Sequence, residues 1–278
     1  MYLSKIYRPI TANPFRNNIM HTEISPCPAL SPYICCYWGT KESICADDHC
    51  KSDNDLVIPD TCMDIIININ HTEGYSNNLF CGIQDKSFIS INKKNTSKVS
   101  TFGIRFYAWA VILFAHENMC NSLNAAIDAE MYFTNLKKEL QEKMSECKNI
   151  YERIEIAEQV LMKRINKKYE NSVVMNTVYK IIETKGRASI KELCAYSCIS
   201  DRQLQRLFKE NIGVSPKKLE DLVRYQILWK DIANNGLNNI QDRVYEYGFS
   251  DQSHLINSFK KYHTLTPKNA LKYAHDIK

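Results

Sequence analysis

The residues best placed to do chemistry stand near the end of the chain, in "YGFSDQSHLINSFKKYH" (247–263). Around the apolar anchors Leu255 and Phe259 this segment carries Gln252, Ser253, His254, Asn257 and Ser258. These are short, uncharged donors and acceptors, where a solvated helix usually shows Lys and Glu. Some fifty residues earlier, "SDRQLQRLFKE" sets Arg202, Gln203, Gln205 and Arg206 around Leu204 and Phe208. Arg can bond guanine O6 and N7 as a fork, Asn and Gln can pair with adenine, and Ser can serve either base. None of these outward residues is an acid that would repel phosphate. The chemistry they fit is the reading of base edges in a DNA major groove.

Such side chains need rigid elements behind them, and the sequence supplies the same ones twice. "IKELCAYSCISDRQLQRLFKENIGVSP" (190–216) and "IQDRVYEYGFSDQSHLINSFKKYHTLTP" (240–267) align at an offset of 50 before the central turn and 51 after it. Ile190 then meets Ile240, Leu204 meets Leu255, Phe208 meets Phe259 and Pro216 meets Pro267. In each copy a first short helix is expected to bury Ile190, Leu193 and Cys194, or Ile240 and Val244. Gly248 suits the turn of the second copy. Ser200 and Asp251 are placed to cap the second helix. Ser215-Pro216 and Thr266-Pro267 read as an N-cap followed by proline in a new first turn. This is helix-turn-helix grammar stated twice. A plain helical hairpin can mimic one copy, but not two with matching caps, anchors and prolines. Between the copies, "PKKLEDLVRYQILWKDIANNG" (216–236) reads as an amphipathic helix ended by Gly236. Over 216–233 it would span about 27 Å, against the ~34 Å between successive major grooves on one face of DNA. It could hold two reading helices in adjacent grooves.

The first ~110 residues favour strands by their alternation. The candidates are "ALSPYICCYW" (29–38), "LVIPDTCMDIIININ" (56–70) and "VSTFGIRFYAW" (99–109). After Trp109 the period becomes helical. In "IYERIEIAEQVLMKRINKKY" (150–169), Ile154, Ala157, Leu161 and Ile165 form a stripe, either packed on its own domain or available as a dimer seam. "KKYENS" reads as a linker, which sets two domains, 1–170 and 171–278. From Asn171 onward Lys and Arg number 17 against 11 Asp and Glu, while residues 1–170 hold 19 against 20. The positive charge therefore belongs to the last hundred residues, as a polyanion-binding module requires.

These residues resemble the DNA-binding domain of AraC/XylS-type transcription regulators over about 172–275, and "YGFSDQSHLINSFKKYHTLTP" is close to that family's most recognisable segment. The resemblance implies that Arg202, Gln203, Gln205 and Arg206 belong to the first recognition helix, and Ser253, His254, Asn257 and Ser258, with Gln252 near the start, to the second. Three positions depart from the family: His263 stands where glycine is usual, Arg243 at a commonly aliphatic position and Leu228 at a commonly small one. The N-terminal segments "CPALSPYICCYW", "IPDTCMDIIININ" and "FGIRFYAWAVILF" resemble a cupin-like sensor domain fused to such DNA-binding domains. The implied fold is α+β: a cupin-like β-barrel with trailing helices, then an all-α domain of two helix-turn-helix units joined by a long helix. The implied function is an effector-controlled regulator, an activator acting on promoter DNA as a homodimer and engaging RNA polymerase. Tyr33, Tyr37, Trp38, Asp64, Arg105 and Trp109 are the candidate lining of an effector pocket, each also readable as a barrel core or rim residue.

Other chemistries find less support. A cupin metal centre needs two or three His with a carboxylate, and "NHTEG" offers only His71 and Glu73. Cys45, His49 and Cys50, near Cys35 and Cys36, lack the paired spacing of a structural zinc site. They leave a zinc- or redox-sensing regulator, or a DNA-alkylation-responsive protein, as the alternative. Eleven cysteines, an odd number spread over 27–198, make a poor disulfide framework. No glycine-rich phosphate loop is present, so no cofactor, metal or catalytic activity is expected. No apolar run reaches the ~18 residues of a membrane span. "MYLSKIYRPITANPF" lacks a signal-peptide core, so a cytoplasmic location is expected.

Overall fold

Alternation of side chains organises the first half of the chain. In the strand β4 (Cys62–Asn70), Met63, Ile65, Ile67 and Ile69 are buried on one face. In β7 (Val99–Tyr107), Phe102, Ile104 and Phe106 do the same. The two strands pair antiparallel along their whole length, from Cys62 opposite Tyr107 to Asn70 opposite Val99. The computed structural model describes residues 3–15, 21–43, 55–90, 97–238 and 240–276. Within them β1 (Thr22–Ile24), β2 (Ile34–Gly39), β5 (Tyr75–Cys81) and β8 (Ala126–Asp128) complete an antiparallel sheet of order β1-β2-β7-β4-β5-β8. β3 (Asp55–Val57) and β6 (Phe88–Ser90) form a separate ribbon. The cupin-like barrel thus takes the form, among the described residues, of this six-stranded sheet and its ribbon.

Two sequence segments divide where the backbone requires it. The run 56–70 breaks between β3 and β4, because Pro59 has no N–H to give a ladder and Asp60 Oδ1 accepts from Cys62 N at 2.8 Å. The run 29–38 starts as a turn, with Ile34 N bonded to Leu30 O at 2.9 Å, and becomes strand only at Ile34.

The helices α1 (Glu130–Met144) and α2 (Ile150–Arg164) follow the sheet. Asn149 caps α2 by accepting from the amides of Tyr151 and Glu152. Ile154, Ala157 and Leu161 are buried within the chain itself, so the stripe is a packing face and not a free dimer seam. The helix stops at Arg164, and Ile165 is extended with ψ 120°.

The rest is helical: α3 (Ser172–Glu183), α4 (Ile190–Ser197), α5 (Asp201–Ile212), α6 (Pro216–Asn235), α7 (Ile240–Glu246), α8 (Gln252–His263) and α9 (Pro267–Asp276). The whole is α+β, with a sheet-rich first part and a helical second part. Among the described residues no helix is long and apolar enough to cross a membrane. α6 is the hub of the helical part, burying Leu219, Leu222, Val223, Leu228, Trp229 and Ile232. Arg243 sits in an aliphatic position because its guanidinium has partners: Nε reaches Asp231 Oδ2 at 2.6 Å and Nη1 reaches Asn238 O at 2.9 Å.

The repeat is visible in the backbone. α4 ends on a left-handed residue, Cys198 (φ 55°), at the position of Gly248 (φ 68°) in the second copy. α5 ends on left-handed Gly213 (φ 83°), and its counterpart is Thr264 (φ 63°). This corrects the expectation for His263, which is the last residue of α8 and fully buried. The glycine-demanding position is its neighbour, Thr264. A β-branched residue with positive φ is strained, by roughly 1–2 kcal/mol. Thr264→Gly is therefore expected to stabilise the chain by about 1 kcal/mol, raising the thermal midpoint by ~2–4 °C. Calorimetry decides: a lowered midpoint would mean that the Thr264 side chain contributes more than its backbone costs.

Candidate nucleic-acid interface

Each reading helix is fixed from behind and capped in front. Leu204, Phe208 and Ile212 anchor α5, and Leu255, Phe259 and Tyr262 anchor α8, all buried. Ser200 accepts from Gln203 N at 3.3 Å, and Gln203 Oε1 accepts from Ser200 N at 3.3 Å, a reciprocal capping box. On α8, Asp251 Oδ1 accepts from His254 N at 2.8 Å. This bond holds the Asp251 carboxyl below its ordinary range.

With the inner faces fixed, the outer faces follow. Arg202, Gln203 and Arg206 are exposed on α5, and Gln252, Ser253, His254 and Asn257 on α8. Gln205 and Ser258 are half-buried at the helix flanks. Gln203 is occupied at the cap, and Gln205 Nε2 donates to Asp201 Oδ1 at 3.2 Å. His254 is steadied by Ser250 Oγ at 3.1 Å and by the edge of Phe249, with ring centroids 5.3 Å apart. Arg202, Arg206 and Asn257 make no hydrogen bond or ion pair among the described residues. The spacing of the two helices is set by α6, 20 residues long, or about 30 Å. Sequence reasoning missed Arg224, whose guanidinium stacks 4.9 Å over Phe249 and ties α6 to the second turn. Its partner Phe249, in "YGFS", is buried and lies 25 residues further on, so no local pattern in the sequence pointed to the pair.

The six candidate effector residues fall into separate groups. Trp38 Nε1 donates to Asp64 Oδ1 at 2.7 Å, and Arg105 Nε donates to the same oxygen at 3.1 Å. Asp60 adds a second acid 3.9 Å from Arg105, and burial pushes its carboxyl up to about 7. These side chains partner one another. Tyr37 alternates to the opposite face and stacks on Phe102, Tyr33 meets the edge of Phe114, and Trp109 stacks on Tyr107 at 4.6 Å. Cys35, Cys36 and Cys62 are buried around this cluster, where the Cys36 and Cys62 neighbours pull the Cys35 thiol down. His71 Nε2 is bonded to Ser100 Oγ at 2.8 Å, and Glu73 is exposed. Cys45, His49 and Cys50 lie outside the described residues.

The sheet half is gripped to the reading half through α6. Ile10 N donates to Gln226 Oε1 at 2.9 Å, Gln226 Nε2 to Pro59 O at 2.7 Å, and Trp229 Nε1 to Thr11 O at 2.9 Å. Met119 N bonds Glu210 O near the end of α5 at 2.8 Å, and Lys218 Nζ bonds Asp85 at 2.9 Å.

Two capped helices on one rigid connector, each with a polar outer face, make a tandem helix-turn-helix DNA-binding domain. Comparison with known families agrees. Residues 193–273 match a helix-turn-helix domain, and residues 22–128 match a domain of unknown function, DUF6597. The C-terminal part of the chain carries an AraC-type helix-turn-helix domain. No curated protein matches it. Among solved structures it is similar to ToxT from Vibrio cholerae, with 12% identity, TM-score 0.41, and 85% of this chain and 98% of that one covered. It is similar also to the unsaturated fatty acid bound wild-type ToxT of Vibrio cholerae strain SCE256, with 10% identity, TM-score 0.43, and 87% and 96% covered.

Proposed function

We propose that the protein is an effector-controlled transcription activator that places α5 and α8 in successive major grooves of promoter DNA. The observation that carries this reading is the pair of capped helices with Arg202, Arg206 and Asn257 on their outer faces, without partners among the described residues. Arg206 and Asn257 specify bases, with Arg202, Ser253, His254 and Ser258 beside them; Gln203, Gln205 and Gln252 sit at the helix entrances. Lys and Arg of the last hundred residues supply the salt-dependent phosphate affinity. The protein works as a homodimer in the cytoplasm and engages RNA polymerase from the bound promoter.

Control through the sheet half is supported by the grip on α6. Gln226 is 1% exposed and joins Ile10, Pro59 and the helix that carries both reading units. Gln226→Ala strands a buried amide and a carbonyl, at a cost of about 1–3 kcal/mol. It is expected to loosen the two halves and raise hydrogen exchange in residues 6–12 before α5 or α8. Uniform exchange throughout the chain would remove Gln226 from the route.

The test is selection of genomic DNA fragments by the full-length protein. Enrichment of a motif with two half-elements about one helical turn apart supports the reading. No enriched motif at any salt concentration, with only uniform weak retention of DNA, would sink it.

A further inference from the structure

The sheet half contains a charged side chain sealed away from solvent with no counter-charge among the described residues. Arg153, on the inner face of α2, is fully buried. Its Nη2 donates to the carbonyl of Cys147 at 3.2 Å, while Nε and Nη1 have no partner among the described residues. Burial pulls its pKa below the ordinary guanidinium value. Stranding donors of a buried cation costs several kcal/mol unless an anion meets them.

Two more side chains of the same layer are left in that state. Asn78 of β5 lies opposite Ile67, whose side chain is buried, and both its side-chain amide atoms are buried with no partner among the described residues. The Tyr37 hydroxyl, on the buried face of β2, has no partner among the described residues either. The surroundings are otherwise apolar, with Phe80 packed on Phe133 of α1 at 5.2 Å and Tyr37 on Phe102 at 5.9 Å. An all-apolar layer would not retain three unsatisfied polar groups at no cost.

Two grooves open at the edge of this layer. One, of about 730 Å³, runs between the β4–β5 turn and α1; the other, of about 480 Å³, runs beside the α1–α2 turn. They meet at His71 and Ser145. Cys147, whose carbonyl holds Arg153, forms part of the second wall, so the guanidinium lies directly behind it. Lys98 and Lys148 share that wall with Glu42 and Glu146, so the mouth carries both signs of charge and selectivity falls to Arg153.

We infer that the layer between the sheet and α1–α2 binds a small organic carboxylate, its head group paired with Arg153 and its apolar body among the side chains of that layer, entering at His71 and Ser145. A planar guanidinium with two open donors matches a carboxylate as a fork. This rests on the reading of the first half as an effector sensor and names the class of effector.

The test uses full-length protein without DNA, with octanoate and shorter carboxylates as probes and octanol as the neutral control. Octanoate raises the thermal midpoint and octanol does not. Arg153→Met weakens octanoate binding by about tenfold or more, yet melts no lower than wild type without ligand, because it removes an unpaired buried charge. If Arg153→Met fails to fold, Ser145→Trp decides, since it plugs the mouth from an exposed position and should abolish the shift alone. No shift with any carboxylate, an equal shift with octanol, or an unchanged response in either variant overturns the site. Genomic selection of DNA run beside it separates the failures: a motif enriched without carboxylate binding refutes this site and leaves the regulator standing.

Discussion

Replacing Arg206 and Asn257 together by alanine is expected to weaken binding to the selected operator by about 10²–10⁴-fold. Each bidentate base contact is worth about 1–3 kcal/mol of discrimination. The two residues sit on different helices, α5 and α8, anchored by separate buried sets. Their effects should therefore add. On random DNA the same variant should lose far less, because base contacts contribute little there. The salt dependence separates the roles further. Asn257→Ala leaves the slope of log K against log salt unchanged, whereas a phosphate-bound Arg206 would lower it by about one. Stability should hardly move, since both side chains are exposed and lack partners among the described residues. Equal losses on operator and random DNA would reassign Arg206 to the backbone and leave α5 without its main reader.

The reading helices were legible because their signals are local. Ser200, Asp251 and Ser215 had to be caps, Leu204 and Phe208 had to face inward, and the outward set followed by subtraction. The repeat made this strong, since the second copy tested the first. What escaped was every feature set by a partner distant in sequence. The left-handed residue at Cys198 could have been found by laying it on Gly248; that at Thr264 was placed one residue early, on His263. Arg243 looked misplaced until Asp231, twelve residues back, appeared beside it. In the sheet half, alternation showed which strands exist but not which side chains share a face across three strands. Trp38, Asp64 and Arg105 meet across three strands and satisfy one another. Arg153 stands beside the stripe of Ile154, Ala157 and Leu161, and nothing local distinguishes it from a solvated charge of an amphipathic helix.

Acid should open the second reading unit from within, and His263 is the reason. Its ring is fully buried, stacked on Phe259 at 4.9 Å and edge-on to Trp229 at 4.7 Å. The Tyr225 hydroxyl lies 2.8 Å from Nδ1. Burial holds its pKa at about 3, below its unfolded value of about 6.5. A depressed folded pKa means that the contribution is whole above pH ~6.5 and is lost as pH falls toward 3. The loss runs at about 1.4 kcal/mol per pH unit. Two acids oppose it: burial pushes Glu220 and Asp60 up to about 7, so the folded chain gains protons, and stability, as pH falls from 7 toward 4.5. Together the two acids outweigh the histidine over this range, so the histidine shows only by difference. In His263→Phe the stacking survives but Tyr225 loses its partner, which costs about 1–2 kcal/mol at pH 7.5. At pH 4.5 the wild type has surrendered about 2–3 kcal/mol that phenylalanine cannot lose. The two stability curves, measured by denaturant unfolding, should cross between pH ~6 and ~5. Parallel curves would mean that His263 titrates normally, and that the packing of α8 on α6 admits water.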